Sequence, residues 1–520
     1  APFTFTHDNR VPLAPILWST LPPSPIKTTG PVKVVGLAEA GSLVTLTTTG
    51  TCVGGALPTV TAGPAINSAG QGLFTVSLNP TLGTTTTTVS ALASDAAGNR
   101  SSCSAPLTYI ESTTLGWRDD VELGFSSGRH AFPEVALTAS GTAVAIFGRS
   151  NATPTGVFRS ERVNGTWSGP TILTDPSDPV AMLTSPPRVV SDASGTVLAG
   201  WTAHDLAALA RRGSDGSWTT QALGVSGYGR APDVALDGSG NGVVASERFV
   251  TNTVRIFARR STGATWGAEA IVSDVAYSSF EPRVAMASSG RALISFARNT
   301  GSGANPRDEL WSTTGEASAA FPTATQRSAT TALFDRRDAR VGMSSAGEAI
   351  AVWLQSSQIL GPWTVTSAAT TGGIWASGTS ITTTTTSQRE LDTQVLASGE
   401  AMALWRLNGS SLQYARRPAG GTWSAGITLP GATLPVAPRL AADSSGRFVA
   451  VWKTLDAFGG SGELWFSTFS LSGWSAPQLL DLGVGLNDTC SLALDASGRA
   501  VAVWTKAQGA DTVVRTRALE

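Results

Sequence analysis

The stretch PRLAADSSGRFVAVW, from Pro438 to Trp452, contains two strand patterns typical of antiparallel sheets. Apolar and polar residues alternate before the central Ser-Gly pair, and a nearly continuous apolar run follows it. An Asp-x-Ser-Gly turn between two such runs indicates a tight hairpin in which glycine adopts a positive φ. Seven further stretches share the pattern, and the aligned glycines are Gly141, Gly195, Gly240, Gly290, Gly347, Gly399, Gly446 and Gly498.

Each hairpin belongs to a longer repeat. A third strand-like run follows it and, in most copies, a short run built on Gly-x-Trp or Gly-Trp comes next. Adjacent aligned glycines are about 45 to 57 residues apart. Four strands at this spacing are typical of one blade of a β-propeller. The sequence therefore predicts eight blades, with seven as the alternative if the weak fourth or fifth repeat is an elaborated loop.

The two ends of the repeat region complement each other. GWRDDVEL, from Gly116 to Leu123, resembles a fourth strand with no hairpin before it. The last hairpin and the run VVRTRAL supply three strands with no fourth strand after them. Pairing the two would remove exposed strand edges. We therefore expect one blade to be built from both ends of the repeat region.

The composition narrows the possible functions. The formal net charge of −1 lacks the basic excess of a nucleic-acid-binding protein. No apolar run approaches the roughly 18 residues of a membrane span. The N-terminal stretch APFTFTHDNR begins with a small residue of the kind that often follows a signal-peptide cleavage site. We expect an extracellular or cell-surface protein without a cofactor.

A separate all-β segment precedes the repeats, in which runs of β-branched residues alternate with Gly, Pro and Asn. It contains Cys52 and Cys103, which we expect to form a disulfide, with two unpaired buried thiols as the alternative. Cys490 has no partner in the sequence and is expected to be a small buried residue. The predicted division is an extended segment (1–24), a β-sandwich (25–112) and a propeller (113–520).

Two resemblances to known families accompany these patterns. VVGLAEAGSLVTL, TGTCVGG and SDAAGNRSSCSAPLTY resemble the immunoglobulin-like modules of bacterial secreted proteins, which implies a spacer or stalk. The later repeats resemble the Pro-x-Val-Ala-x-Asp-x-Ser-Gly-x-Ala-Val-Ala-Val-Trp repeats of exported bacterial proteins and, more loosely, propeller lectins. They depart from the sialidase Asp-box, so sialidase activity is not supported.

A hydrogen-bond donor, usually a cation, follows the second strand of nearly every repeat, on the face where propellers usually bind ligands. Loops from fourth to first strands add further residues to this face, including Arg230 and Phe280. Arginine forks suit carboxylate, sulfate or phosphate groups, and flat aromatic rings suit sugar faces. The alternative is that these cations are solvated strand ends. The candidates for ligand binding are Arg149, His204, Arg248, Arg298, Arg336, Arg337, Arg406, Lys453, Tyr228 and Tyr277.

A second set of residues lies seven positions before each aligned glycine, on first strands expected to line a central channel. The signs of charge nearly alternate, so neighbouring blades would place opposite charges side by side. We therefore favour a structural belt of ion pairs over a ligand site, which would tend to one sign. The charged members are Glu134, Arg188, Asp233, Arg283, Arg340, Asp392 and Arg439, and Ser491 stands in the eighth repeat.

The tryptophans divide into two groups. Those that end second strands are expected to pack between blades: Trp201, Trp353, Trp405, Trp452 and Trp504. Trp311, Trp363 and Trp465 are better candidates for the surface.

No catalytic residue is assigned, because the chain has 3 His and 4 Tyr and lacks the common metal-ligand and phosphate-loop motifs. Three functions remain. The first is a secreted or cell-surface binding or adhesion protein whose propeller face binds a glycan or another anionic surface. The second is a structural subunit of an extracellular assembly, in which the N-terminal segment pairs with a neighbouring copy. The third is a glycan-active hydrolase or lyase with two carboxylates in one pocket.

Overall fold

The computed structural model describes residues 8–54, 56–80, 83–174, 183, 185–203, 206–223, 229–300, 308–316, 321–322, 324–326, 334–356, 362–371, 373–382, 388–454, 462–470, 472–485 and 489–520. Within these ranges the protein is all-β and contains no helix. No described segment could therefore cross a membrane as a long apolar helix.

The first seven strands form two antiparallel sheets that share one core. The strands are β1 (Ile16–Leu21), β2 (Val32–Glu39), β3 (Leu43–Thr47), β4 (Ala56–Thr61), β5 (Gln71–Leu78), β6 (Thr85–Ser94) and β7 (Leu107–Glu111). One sheet has the order β1-β2-β5 and the other β4-β3-β6-β7. Buried residues of both sheets, such as Val34, Phe74, Val44 and Val89, pack in one hydrophobic cluster.

The predicted disulfide is confirmed: Cys52 and Cys103 are bonded, with their Cα atoms 5.8 Å apart. The bond joins the loop after β3 to the segment between β6 and β7. Cys490 is a free, buried cysteine with 4% exposure, as expected for a small core residue.

Among the described residues, the remaining strands make seven hydrogen-bonded sheets, one of which has nine strands. We divide the nine-stranded sheet at the parallel bridge between Arg129 and Thr512 and call the resulting eight groups repeat sheets 1 to 8. Sheet 1 contains β9 (Arg129–Leu137), β10 (Ala143–Ser150), β11 (Gly156–Val163), β12 (Thr166–Trp167) and β13 (Thr171–Ile172). Sheet 2 contains β14 (Arg188–Ser191), β15 (Val197–Ala203), β16 (Leu206–Arg212) and β17 (Trp218–Ala222). Sheet 3 contains β18 (Gly229–Leu236), β19 (Gly242–Val250), β20 (Thr253–Thr262), β21 (Thr265–Trp266) and β22 (Ala270–Ile271). The strand preceding sheet 1 is β8 (Val121–Leu123).

Sheet 4 contains β23 (Ser279–Met286), β24 (Ala292–Asn299), β25 (Asp308–Gly315) and β26 (Thr325–Gln326). Sheet 5 contains β27 (Phe334–Met343), β28 (Ala349–Ser356), β29 (Thr364–Thr371), β30 (Ile374–Trp375) and β31 (Thr379–Ser380). Sheet 6 contains β32 (Gln388–Val395), β33 (Ala401–Leu407), β34 (Ser411–Arg417) and β35 (Ile427–Thr428). Sheet 7 contains β36 (Pro435–Ala442), β37 (Phe448–Thr454), β38 (Gly462–Ser470), β39 (Gly473–Trp474) and β40 (Gln478–Val484).

Sheet 8 combines β41 (Cys490–Leu494), β42 (Ala500–Gln508) and β43 (Asp511–Leu519) with β8, which pairs antiparallel with β43. Its outer strand thus comes from the other end of the repeat region. Salt bridges reinforce this pairing, because Arg515 contacts both Asp120 and Glu122 at 3.2 Å. One parallel bridge, between Thr512 and Arg129, joins sheets 1 and 8.

The first strands of the eight sheets contact one another in sequence, and β41 contacts β9, so these contacts return to their starting point. The second strands lie between neighbouring sheets, which explains their apolar character on both faces. The aligned glycines all adopt φ between 80° and 95°, so the predicted hairpin turns are confirmed. The five tryptophans that end second strands are at most 2% exposed, which confirms their packing role.

The three tryptophans predicted for the surface have different environments. Trp363 is 7% exposed and packs with Val365 and Ile381, so its prediction is wrong. The residue stands immediately before the inward-facing positions of β29, where an apolar ring fills the core.

The N-terminal sheets pack directly against the repeat sheets. The segment before β2 is tied to the start of the repeats, since Lys27 N donates to the carbonyl oxygen of Trp117 at 2.9 Å. Strand β1 lies in the predicted extended segment 1–24, but it pairs with β2 and also contacts β40 of sheet 7. Trp18 of β1 meets Trp465 of sheet 7 edge-on, with ring centroids 5.9 Å apart.

Candidate ligand-binding site

The cations predicted to bind ligand lie near the ends of second strands, where each contacts nearby groups of the chain. Arg149 is 4% exposed and donates hydrogen bonds to the carbonyl oxygens of Ser127 at 3.1 Å and Pro154 at 3.0 Å. Its guanidinium lies 3.9 Å from the centre of the Phe125 ring. Burial lowers the pKa of Arg149. This arginine fastens two loops of sheet 1.

Arg248 forms a two-pronged ion pair with Glu269. Its Nη1 and Nη2 atoms donate to the carboxylate at 2.8 and 2.7 Å, the fork geometry that arginine and carboxylate favour. The guanidinium also lies 4.1 Å from the centre of the Phe257 ring. The cationic fork of Arg248 is therefore occupied within sheet 3.

Arg298 is held between two aromatic rings. Its guanidinium lies 4.2 Å from the ring centre of Tyr277 and 4.1 Å from that of Trp311, and it donates to Asp274 at 3.0 Å. Tyr277 is 40% exposed, so its outer face is open to solvent. The structure brings these two candidates together in one stack.

The last two described cations also contact their own loops. Arg406 donates to Glu390 at 2.9 Å and to the carbonyl oxygen of Gly409 at 3.3 Å. Lys453 is 2% exposed and donates to the carbonyl oxygen of Gly485 at 3.3 Å. A ligand on this face would compete with these internal partners.

The other four candidates lie partly or wholly outside the described residues. They are His204 and Tyr228, together with the side chains of Arg336 and Arg337 in β27.

The charged residues of the first strands surround one central cavity of about 440 Å³, lined by Glu134, Arg188, Asp233, Arg283, Arg340, Asp392, Arg439 and Ser491. Two pairs of opposite charge join neighbouring sheets. Arg188 and Asp233 are 3.4 Å apart, and Arg340 and Asp392 are 3.3 Å apart. At the junction of sheets 8 and 1, Ser491 donates to Glu134 at 2.7 Å.

The acidic members of this set also accept hydrogen bonds from the backbone of the next sheet. Asp233 accepts from Val284 N at 2.8 Å, and Asp392 accepts from Leu440 N at 2.9 Å. These bonds link successive first strands, which lack a continuous backbone ladder between them. They are the contacts that a structural belt would make.

First strands also carry a repeated distortion just before the charged position. Non-glycine residues there adopt φ between 46° and 54°, at a cost of roughly 1–2 kcal/mol each. They are Phe132, Ala231, Glu281, Glu390 and Ala437. The neighbouring sheet satisfies several of their N–H groups: Glu281 N donates to Glu247 Oε1, and Ala437 N donates to Glu390 Oε2, both at 2.6 Å.

One open cleft combines aromatic and charged groups beside this distortion. It has a volume of about 380 Å³ and is lined by Arg230, Glu247, Phe249, Val254 and Phe280. We call it the Phe249 cleft. Phe249 is 49% exposed, and Arg230 and Glu247 are directly opposite each other on paired strands. The cleft therefore offers apolar rings, a guanidinium and a carboxylate to one ligand.

Glu247 is the carboxyl group that lines the cleft, and its pKa is raised above the ordinary 4.5. Burial is the main cause and the nearby Glu281 carboxylate adds to it, while the hydrogen bond from the Glu281 backbone N–H and the charges of Arg283 and Arg230 lower the pKa. Such a group can hold a proton under conditions in which exposed glutamates are ionised. It is able to accept hydrogen bonds from hydroxyls or, when protonated, to donate one.

Arg230 and Phe280 were predicted from the sequence to lie on the ligand-binding face, but Glu247 and Phe249 were not. Both follow the apolar part of β19, which extends to Val250. The sequence carries no clear signal that these two residues line a cleft. Among the described residues, no three His, Cys, Asp or Glu side chains form a metal-binding group.

Comparisons with known proteins find no matching family model and no matching curated protein. The fold is similar to solved structures at low identity. The BP39L lectin from Burkholderia pseudomallei is 12% identical, with a TM-score of 0.47, over 69% of this chain and 100% of the lectin. An ulvan lyase is 11% identical, with a TM-score of 0.44, over 69% of this chain and 95% of the lyase.

A protein of unknown function from Dyadobacter fermentans is 13% identical, with a TM-score of 0.40, over 78% of this chain and 99% of that one.

Proposed function

We propose that repeat sheets 1 to 8 are the blades of an eight-bladed β-propeller in residues 113–520. The cyclic contacts among first strands support this arrangement, as does the pairing of β8 with β43. Residues 25–112 then form an immunoglobulin-like sandwich, supported by its two sheets and shared core. Residues 1–24 are its N-terminal extension, and β1 completes one of its sheets.

We further propose that the protein is a secreted or cell-surface binding protein that engages an acidic glycan through the Phe249 cleft. The observation that carries this proposal is the exposed Phe249 ring beside Phe280, Arg230 and Glu247. Aromatic rings accept the apolar faces of sugars, and a guanidinium pairs with uronate or sulfate groups. The carboxylate is suited to sugar hydroxyls.

The disulfide supports an extracellular location, because such bonds persist in oxidising compartments. The immunoglobulin-like sandwich would act as a spacer. Its contacts with sheet 7 through Trp18 and Trp465 make it a spacer of fixed orientation.

A glycan-active hydrolase or lyase is the second candidate, and Glu247 favours it. A carboxyl group with a raised pKa can serve as a general acid, and Glu281 adds a second carboxylate nearby. The structural-subunit hypothesis has less support, since the described part of the N-terminal extension pairs within its own chain.

The test is a glycan array at low and raised salt with the wild type, Phe249→Ala and the control Ile374→Ala. Ile374 is 77% exposed and does not line the cleft. We expect salt-sensitive binding to acidic glycans that is retained in the control and about tenfold weaker in Phe249→Ala. A blank array, or equal binding by both variants, would overturn the proposal.

The same glycans distinguish binding from cleavage. Mass spectrometry of a bound oligosaccharide after incubation with the wild type and Glu247→Gln shows whether products form. Products with the wild type that disappear with Glu247→Gln would replace the binding proposal with the enzymatic one. An intact oligosaccharide would leave the binding function.

A further inference from the structure

The alternation of charge around the central cavity breaks at one place. In the order of the sheets, Arg283 of sheet 4 is followed directly by Arg340 of sheet 5, so two arginines are neighbours in the set of charged residues that line the cavity. The set contains four arginines and three carboxylates, so one positive charge exceeds the acidic partners. This excess distinguishes the cavity from a fully compensated belt.

Two of the four arginines are paired with a carboxylate of the set. Arg188 pairs with Asp233, and Arg340 pairs with Asp392. Among the described residues, Arg283 has no carboxylate oxygen within 4.0 Å, and its Nη1 atom donates only to the carbonyl oxygen of Pro282 at 2.9 Å. Its Nε atom is buried and has no hydrogen-bond partner in the part of the chain that the structure describes.

The surroundings of Arg283 oppose its charge. Burial, followed by repulsion from Arg188 and Arg340, lowers its pKa to about 10, while the carboxylates of Asp233 and Glu281 act in the opposite direction. The guanidinium is still protonated at neutral pH, so it keeps a positive charge that no described carboxylate oxygen contacts within 4.0 Å. A partly buried cation without a contacting carboxylate is costly, and an oxyanion that accepts hydrogen bonds from its guanidinium would offset that cost.

The cavity has room for such a group. The residues two positions along from the charged ones are small in neighbouring sheets, and Ala235 and Ala285 among them line the cavity. A sulfate, phosphate or carboxylate could therefore enter between the first strands. Arg188 and Arg340 add positive potential on both sides of the position.

We propose that the central cavity binds one oxyanion group at Arg283, flanked by Arg340 and Arg188. The group is a sulfate, phosphate or carboxylate, supplied either as a free anion or as the acidic substituent of a glycan. This site is separate from the Phe249 cleft. A free anion would bind at Arg283 whether or not the cleft binds glycans.

The test is isothermal titration of the full chain with inorganic sulfate, using chloride to hold the ionic strength constant. We expect saturable binding at one site that weakens about tenfold or more in Arg283→Gln, because a charge-assisted pair is lost. Arg129→Gln is the matched control, since Arg129 is an exposed arginine of a first strand. It should bind sulfate as the wild type does.

Arg283→Lys is the control for a general effect on folding, because it keeps the positive charge but removes the two-pronged guanidinium. We expect affinity between those of the wild type and Arg283→Gln, with unfolding temperatures at or above that of the wild type for both variants. Sulfate binding that is absent in the wild type, or equal in Arg283→Gln, would overturn the proposal.

A sulfated disaccharide and its desulfated counterpart identify the source of the anion. Binding of the sulfated sugar about tenfold tighter than inorganic sulfate, and dependent on Arg283, would assign a glycan substituent. Equal affinities would assign a free anion. Phe249→Ala should leave the affinity for inorganic sulfate unchanged, so failure of the cleft and failure of this site give different results.

Discussion

Glu247 accepts a 2.6 Å hydrogen bond from the backbone N–H of Glu281, a residue of the next repeat sheet held at a φ of 54°. The left-handed conformation turns this N–H away from the strand ladder, and the neighbouring carboxylate supplies its partner. Glu390 serves Ala437 in the same way. The two carboxylates therefore stabilise backbone distortions that would otherwise expose unpaired donors.

The first prediction concerns the pH dependence of stability. Because the pKa of Glu247 is raised in the folded protein, the folded state binds its proton more tightly than the unfolded chain. Stability should therefore fall as the pH rises from about 4.5 through the raised folded-state pKa. Glu247→Gln cannot ionise, so its free energy of unfolding should match the wild type below this window and exceed it above.

Urea denaturation of the wild type and Glu247→Gln over a pH series measures this effect. The control Glu39→Gln, in the N-terminal sheet, should keep the decline seen in the wild type. Parallel curves for the wild type and Glu247→Gln would contradict an unfavourable ionised Glu247.

The second prediction tests the belt of first-strand contacts. Asp392→Ala removes the acceptor of Leu440 N and the partner of Arg340. The loss of two partnered groups should lower the free energy of unfolding by about 1–3 kcal/mol. Asp392→Asn, which keeps one acceptor oxygen, should lose less. Thermal and urea denaturation provide the values, and an unchanged Asp392→Ala would show that the belt adds no stability.

The third prediction concerns the close approach of sheets 5 and 6. A Cβ atom added at Gly342 would lie 2.4 Å from Val395 side-chain atoms. Gly342→Ala should therefore force the first strands apart and destabilise the protein by about 1–3 kcal/mol. Gly169→Ala is the control, because no atom lies within 4 Å of its added Cβ. Equal stabilities of the two variants would contradict tight packing at this junction.

The fourth prediction concerns the N-terminal sandwich. The Cys52–Cys103 bond closes a loop with a sequence separation of 51, which corresponds to about 4 kcal/mol in the chain-entropy model. Replacing both cysteines by serine should lower the temperature of the calorimetric transition in which the sandwich unfolds, which we expect to be the first, with little effect on the unfolding of the repeat sheets. Cys490→Ala, outside the sandwich, should leave that transition in place. If all transitions moved together, the sandwich and repeats would unfold as one unit.

The repeated features were predictable because short-range chemistry determines them. The Asp-x-Ser-Gly turns need glycine at positive φ, and the aligned glycines adopt it. The disulfide followed from two cysteines in one small segment. The outer strand of sheet 8 followed from counting unmatched strands at the two ends of the repeat region.

The candidate site was less predictable, since its contacts depend on how loops bring distant groups together. The sequence shows that Arg248 follows a strand, but not that Glu269 occupies its guanidinium. Residues ahead of prolines usually favour extended conformations, so the left-handed Glu281 before Pro282 runs against the local preference. Glu247 gains its role only through that distortion. The ligand-binding roles of the predicted cations stay predictions.

The union of β8 and β43 has a kinetic consequence. Arg515 and Asp120, which join across it, are 395 residues apart in the sequence. Such a contact carries a large loop-closure entropy until the intervening sheets have formed and brought its two sides together. Sheet 8 is therefore expected to assemble last, as the step that commits the chain, and to be the first sheet lost when the protein is pulled from its ends.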